Sequence, residues 1–167
     1  SMTSAENHSV VLTPLGDLNG DTYPDFALCD SRYSGLYSDA GACFIFFGSD
    51  TLLDEYDIYE ADIKIWGIEN NRLSLIYPLK DINNDGYDDF ALASLESDQR
   101  GEIYIFWGSS LLSSEIFLDS LTDYAFIIEG ENPYDFLGLY GLVRIDSDDN
   151  RALILTSAPG ADYYGSN

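Results

Sequence analysis

Asp17-Leu-Asn-Gly-Asp-Thr-Tyr-Pro-Asp25 and Asp81-Ile-Asn-Asn-Asp-Gly-Tyr-Asp-Asp89 are one nine-residue acidic loop written twice, and each runs straight into Phe-Ala-Leu. Oxygen-bearing side chains stand at positions 1, 3, 5 and 9 of both copies. Carboxylates drawn together over so short a segment repel one another, and a positive charge among them relieves the repulsion. A hard divalent cation is the natural partner: six or more oxygens at roughly 2.3–2.6 Å suit Ca2+. Asp17, Asn19, Asp21 and Asp25 in one copy, and Asp81, Asn83, Asp85 and Asp89 in the other, would supply side-chain oxygens. Tyr23 or Tyr87 would add a main-chain carbonyl, and water the remainder. Mg2+ prefers a smaller octahedral shell with retained water, and the lack of clustered His or Cys argues against zinc or copper.

A metal-free Asx-rich turn is the alternative reading of one such loop. Two copies at equivalent places favour the cation. An EF-hand would need Glu at position 12 and a helix after it, whereas Ala27-Leu28 and Ala91-Leu92 continue apolar, strand-like runs. The copies are not equal. Gly86 holds position 6 of the second loop, where the chain turns sharply, but Thr22 holds it in the first. A positive-φ turn there costs about 1 kcal/mol more, or the backbone shifts. Two Ca2+ sites are therefore expected, the one at 81–89 the stronger. A third acidic stretch, Asp146-Ser-Asp148-Asp149-Asn150-Arg151, lacks the closing aspartate and brings a positive charge, so it is expected to hold no metal. The ion reads as structural: it would clamp two strands and tie folding to metal concentration.

Working outward, the loop-starting residues Asp17, Asp81 and Asp146 fall 64 and then 65 residues apart, a supersecondary period. Glu6-Asn7, Glu69-Asn70 and Glu131-Asn132 open the units, which divide the chain into repeats of about 6–68 and 69–130 and a partial repeat over 131–167. In the first repeat the apolar runs are Ser9 to Leu15, Asp25 to Cys29, Gly41 to Phe47 and Asp62 to Trp66. The second answers with Leu73 to Leu79, Asp89 to Ala93, Gly101 to Trp107 and Tyr124 to Ile128, and the third offers Leu139 to Ile145 and Ala152 to Thr156. Short runs rich in Ile, Phe, Tyr and Leu, bounded by Gly, Asp, Asn and Ser, read as strands. Gly41-Ala-Cys-Phe-Ile-Phe-Phe-Gly48 and Gly101-Glu-Ile-Tyr-Ile-Phe-Trp-Gly108 are apolar nearly throughout, as strands covered on both faces are. The polar stretches Ser49 to Ala61 and Ser109 to Thr122 are each expected to carry a helical turn.

The predicted class is all-β, with four antiparallel strands per repeat arranged as β-propeller blades. A parallel β-helix is the runner-up, though its coils are shorter than this period. Two and a half blades do not close a ring of the usual ~4–8. Either the chain is a piece of a longer propeller, or several chains complete one ring, or the ends are capped.

The 167 residues are 46% hydrophobic and 14% aromatic, which supplies a domain-sized core rather than a disordered acidic tail. No run approaches the ~20 apolar residues of a membrane span. The opening Ser-Met reads as a cloning remnant, and the residues after it lack the features of a signal peptide. A formal charge of -23 disfavours nucleic acid and anionic membranes and favours cations and basic surfaces. The only cysteines, Cys29 and Cys43, sit opposite each other if their two runs pair as a hairpin centred near Leu36. A cross-strand disulfide in an oxidising compartment and a pair of reduced core residues are both open on this evidence. His8 is the only histidine and stands near the first residue, with no nucleophile motif and no phosphate-binding glycine loop to accompany it. No catalytic residue is assigned.

The acidic loops with their following apolar strands, together with Phe136-Leu-Gly138 and Ser157-Ala158-Pro159-Gly160, resemble the FG-GAP repeats of integrin α-subunit propellers. The resemblance covers the chain after Ala5. It implies an extracellular or cell-surface protein that uses a calcium-stabilised propeller for adhesion or recognition of a protein or glycan. It also leaves open an alternative, the propeller part of a polysaccharide-acting or phospholipase-type enzyme. In that family ligands engage the face opposite the calcium loops. Here that face would draw on Asp30 to Ala40, Leu95 to Arg100 and the stretches around Asn70-Asn71 and Asn132 to Tyr134, with Arg32, Tyr33, Tyr37 and Tyr134 as contact residues. Packing of sheet against sheet is the competing role for tyrosines, of which there are 13. Self-association, or continuation of the propeller, is expected of the incomplete ring.

Overall fold

The computed structural model describes residues 10–51, 53–95, 99–120, 126–139, 141–146 and 152–159. The fold is all-β, and among the described residues there is no α-helix. Strands β1 (Val10–Gly16), β2 (Asp25–Asp30), β3 (Ala42–Phe46) and β4 (Ile63–Trp66) form an antiparallel meander. Strands β5 (Leu73–Lys80), β6 (Asp89–Ser94), β7 (Glu102–Phe106) and β9 (Phe126–Glu129) repeat it as a second sheet. Strands β10 (Leu142–Asp146) and β11 (Ala152–Thr156) pair as a two-stranded third.

The sheets pack in layers. Period-two alternation gives each strand two faces, and both faces of β3 and β7 are buried, Glu102 being the one charged residue among them. One face of the first sheet, with Ala27, Cys29, Cys43, Ile45, Ile63 and Ile65, closes on Ile76, Phe90, Leu92, Tyr104 and Phe106 of the second. The other face of the second sheet, with Ala91, Ile103 and Ile105, meets Leu137, Leu142, Ile154 and Ala158 from the third repeat. Packing stacked sheets in this way removes apolar surface from water at about 25 cal/mol per Å2.

The joint between sheets is built the same way twice. Leu73 N–H donates to the Ala40 carbonyl and Arg72 N–H to that of Asp39; one repeat later, Leu137 N–H donates to Arg100 and Phe136 N–H to Gln99. Gly41 and Gly101 make this approach close enough to bond, because a Cβ on either would strike the backbone carbonyl of Leu73 or Leu137. Both inner strands also bulge before their acidic loop, at Pro14/Gly16 and at Pro78/Lys80. Proline has no N–H to give a ladder, so an edge or bulge is where it fits.

Of the two helical turns expected, one is found and one is replaced. The first polar stretch does carry a helical turn, the 3-10 segment Ile58–Glu60, capped by Asp57 accepting from Tyr59 N–H. The second instead contributes β8 (Glu115–Phe117), which pairs in parallel with β4 of the first sheet. It was unreadable from sequence because three residues show no period. Its extended form follows from the free edge of β4, where Lys64 N–H donates to Ser114 and Leu118 N–H to Trp66. Cys29 and Cys43 are register partners on β2 and β3 and form a buried disulfide, so the reduced alternative falls. His8 and the third acidic stretch beyond Asp146 lie outside the described residues, as do the start of the run at Tyr124 and the end of the Ser-Ala-Pro-Gly word at Gly160.

Candidate functional site

Antiparallel alternation sends the connections of each meander to two ends. The acidic loops, joining β1 to β2 and β5 to β6, share one end with the polar stretches after β3 and β7.

Each loop is wound by its own side chains. Asp17 Oδ1 accepts from Asp21 N–H at 3.1 Å and Oδ2 from Thr22 N–H at 2.7 Å. Asp81 does the same for Asp85 N–H and Gly86 N–H, at 3.1 and 2.9 Å. Asn19 and Asn83 accept from the N–H two residues on, at 3.0 Å each, and Asp21 and Asp85 accept from Tyr23 and Tyr87 N–H at 2.8 and 3.0 Å. The amide groups of Asn19 and Asn83 donate to Asp21 and Asp85 at 2.9 Å. Charge-assisted acceptance of this kind is stronger than a neutral hydrogen bond. The Asp21 and Asp85 amides are each shared between the side-chain oxygens of positions 1 and 3.

The closing aspartates are different in kind. Asp25 and Asp89 are buried at the first position of β2 and β6, and each brackets two distant amides. Asp25 accepts from Leu18 and Gly48 N–H at 2.8 Å, and Asp89 from Ile82 and Gly108 N–H at 2.7 and 2.9 Å. Burial pushes the Asp25 carboxyl up to about 6, with the charges of Asp21 and Asp17 adding to the rise and the two backbone donors opposing it. Asp89 is raised in the same way, by burial first and then by Asp85 and Asp81. Each loop thus concentrates negative charge against a desolvated carboxylate.

The two loops also grip each other. Asp17 N–H donates to Asp88 Oδ2 at 3.0 Å, and Asp88 N–H returns a bond to the Asp17 carbonyl at 2.8 Å. Ser109 N–H donates to the Leu18 carbonyl at 2.8 Å. Gly16 and Gly20 lie under this contact, because a Cβ on Gly16 would land on the Asp88 carboxylate and one on Gly20 on the Tyr87 ring. Sequence reading placed Asp88 only as a neighbour of Asp89; its partner 71 residues away carries no local signal.

These donors fit a cation in type. A carboxylate offers about four lone-pair sites and the hydrogen bonds described above to Asp21, Asp25, Asp85 and Asp89 use two each, leaving oxygen capacity for a hard ion. Among the described residues no three His, Cys, Asp or Glu side chains converge tightly enough to hold an ion by themselves. The amide oxygens of Asn19 or Asn83 and the carbonyl of Tyr23 or Tyr87 would have to complete the shell.

At the opposite end, the expected contact residues separate. Tyr33 packs edge-on to Phe44 at 5.4 Å and tilted against Trp66 at 5.8 Å, a packing role. Tyr37 is exposed and its hydroxyl donates to Asp119 at 3.3 Å. Arg32 is exposed in the same β2–β3 connection, and Tyr134 is exposed in the connection after β9.

No protein-family model matches the chain, and no curated protein matches it in sequence.

Proposed function

We propose that the chain is a calcium-stabilised, propeller-type repeat segment of a cell-surface or secreted protein, its sheets serving as blades, and that it acts in adhesion or recognition. The observation that carries the reading is the duplication of the loop in full chemical detail. Ten positions, Asp17, Asn19, Asp21, Tyr23 and Asp25 with Asp81, Asn83, Asp85, Tyr87 and Asp89, repeat both residue type and hydrogen-bond role. Ca2+ would be held by the side chains of positions 1, 3, 5 and 9 and the carbonyl of position 7, and it would supply positive charge where the carboxylates crowd. The chain's own residues then do the rest: Asp25 and Asp89 fasten each loop to an amide at its second position and to Gly48 or Gly108, two residues past the end of β3 or β7.

The buried disulfide accords with an oxidising compartment. Recognition is assigned to the end away from the loops, where Arg32, Tyr37 and Tyr134 are exposed, because Tyr and Arg give large contact energy for little conformational cost. Melting curves in Ca2+ and in chelator test the metal claim. Ca2+ at about 100 times its dissociation constant stabilises by about 2.7 kcal/mol per site, while Mg2+ does less. A melting temperature indifferent to both Ca2+ and chelator would overturn it. Adhesion of cells to the immobilised chain, lost on Tyr134→Ala with the melting curve unchanged, tests the recognition surface.

A further inference from the structure

The two sheets carry the same face, and only one of them is covered. In the second sheet it consists of Ile76, Pro78, Phe90, Leu92, Tyr104 and Phe106. Register matches these to Leu12, Pro14, Phe26, Leu28, Phe44 and Phe46 of the first. The likeness extends to ring geometry: Phe26 stacks on Phe46 at 5.2 Å and Phe90 on Phe106 at 5.0 Å. Ile76 is 2% exposed because the first sheet lies on it, while its counterpart Leu12 is 66% exposed and the neighbouring Val10 51%.

The uncovered part has a definite width. Over β3, β4 and the Phe26 end of β2 the chain covers its own face, with Tyr56 edge-on to Phe26 and Phe46 and with Tyr33 on Phe44 and Trp66. Ile58 and Ala61 complete that cover. Over β1 nothing in the described residues replaces it, so Val10, Leu12 and Pro14 are exposed, while Leu28 beside them on β2 is half-buried. What is left bare is a strip along the edge strand β1, with Leu28 at its margin. The third repeat presents the β10–β11 pair, stacked on the second sheet as the second is stacked on the first.

We infer that the bare strip along β1 is a docking surface for the β10–β11 pair of a second copy of this chain, joined head to tail. The new contact continues an interface the molecule already makes twice within itself, face to opposite face. It is heterologous, each copy using a different surface, so it leads to a closed ring or to a growing chain of copies rather than a symmetric pair. A large apolar strip on an otherwise strongly acidic surface has the character of such a contact. The inference rests on the sheet faces alone and stands whether or not the acidic loops bind calcium.

Sedimentation velocity on the full chain, over about 1 to 100 µM in calcium and again in chelator, is the test. The expected result is concentration-dependent association in a metal condition that keeps the chain folded. Leu12→Asp should weaken it by at least about tenfold, and Leu111→Asp, at a residue 89% exposed away from the strip, should leave it unchanged. Because Leu12 is already exposed, Leu12→Asp should melt as the parent monomer does. Hydrogen exchange should show β1 and β10–β11 gaining protection together on association. A chain that stays monomeric throughout, association indifferent to Leu12→Asp, or protection of β1 without β10–β11 would each overturn the inference.

Discussion

The two acidic loops follow one backbone path but place their glycines differently. Position 4 has a positive φ in both, +80° at Gly20 and +60° at Asn84, and so has position 6, +77° at Thr22 and +97° at Gly86. The residue just before each loop repeats this, with Gly16 at +89° and Lys80 at +53°. The path is therefore dictated by the hydrogen bonds that Asp17 and Asp81 accept, and residue type is fitted to it afterwards. Gly86 has no atom near the place a Cβ would take, so it serves conformation alone. Gly16 and Gly20 serve contact as well, since the second loop leans on them. Thr22 is a β-branched residue in the left-handed region, where such residues are genuine outliers.

The largest effect expected from breaking the comparison lies where the loops are alike. Asp25→Ala and Asp89→Ala each strip two amides of their acceptor and should each cost about 2–5 kcal/mol in urea unfolding. Markedly unequal losses would show that the brackets are not equivalent. Next is the pair where the sheets differ, Cys29–Cys43 in the first and Ala93–Ile103 at the matching register of the second. The disulfide closes a loop across a separation of 14 residues, so reduction or Cys43→Ala should cost about 3 kcal/mol. Exchange protection should fall on β2 and β3 before β6 and β7; equal loss in both sheets would count against separate reinforcement.

Smaller again is Gly16→Ala, expected to cost about 1–3 kcal/mol because it combines a disfavoured φ with displacement of the Asp88 carboxylate from Asp17 N–H. Asp88→Ala should remove most of the steric part of that penalty in a double-mutant cycle. The smallest pair sharpens the comparison directly: Thr22→Gly should stabilise and Gly86→Thr destabilise, each by about 1 kcal/mol. If Thr22→Gly changes neither stability nor calcium affinity, strain at position 6 does not distinguish the loops.

Much of this was legible in the chain because the informative signals are local and duplicated. Asp17 to Asp25 and Asp81 to Asp89 announce themselves by composition, and Cys29 and Cys43 pair because they are equidistant from Leu36 in a hairpin. Strands β2, β3, β6 and β7 are short apolar runs with turn residues at both ends. What escaped reading is made by distant partners. Strand β8 exists because the β4 edge is open to it. The Asp17–Asp88 clasp joins separate repeats, and Tyr33 and Tyr56 become a cover for Phe26, Phe44 and Phe46 only once the 3-10 segment and the β2–β3 connection have folded back. For Thr22 the sequence left two outcomes, strain or a shifted backbone. The bond from its N–H to Asp17 accompanies the strained one.

Calcium titration of the chelator-stripped chain by calorimetry addresses the shared loop most directly. Two binding events are predicted, the tighter abolished by Asp85→Asn and the weaker by Asp21→Asn, with Thr22→Gly drawing the two affinities together. Absence of any calcium-dependent heat from a folded chain, or binding that persists in the Asp21→Asn, Asp85→Asn double variant, would contradict the assignment of these loops as cation sites.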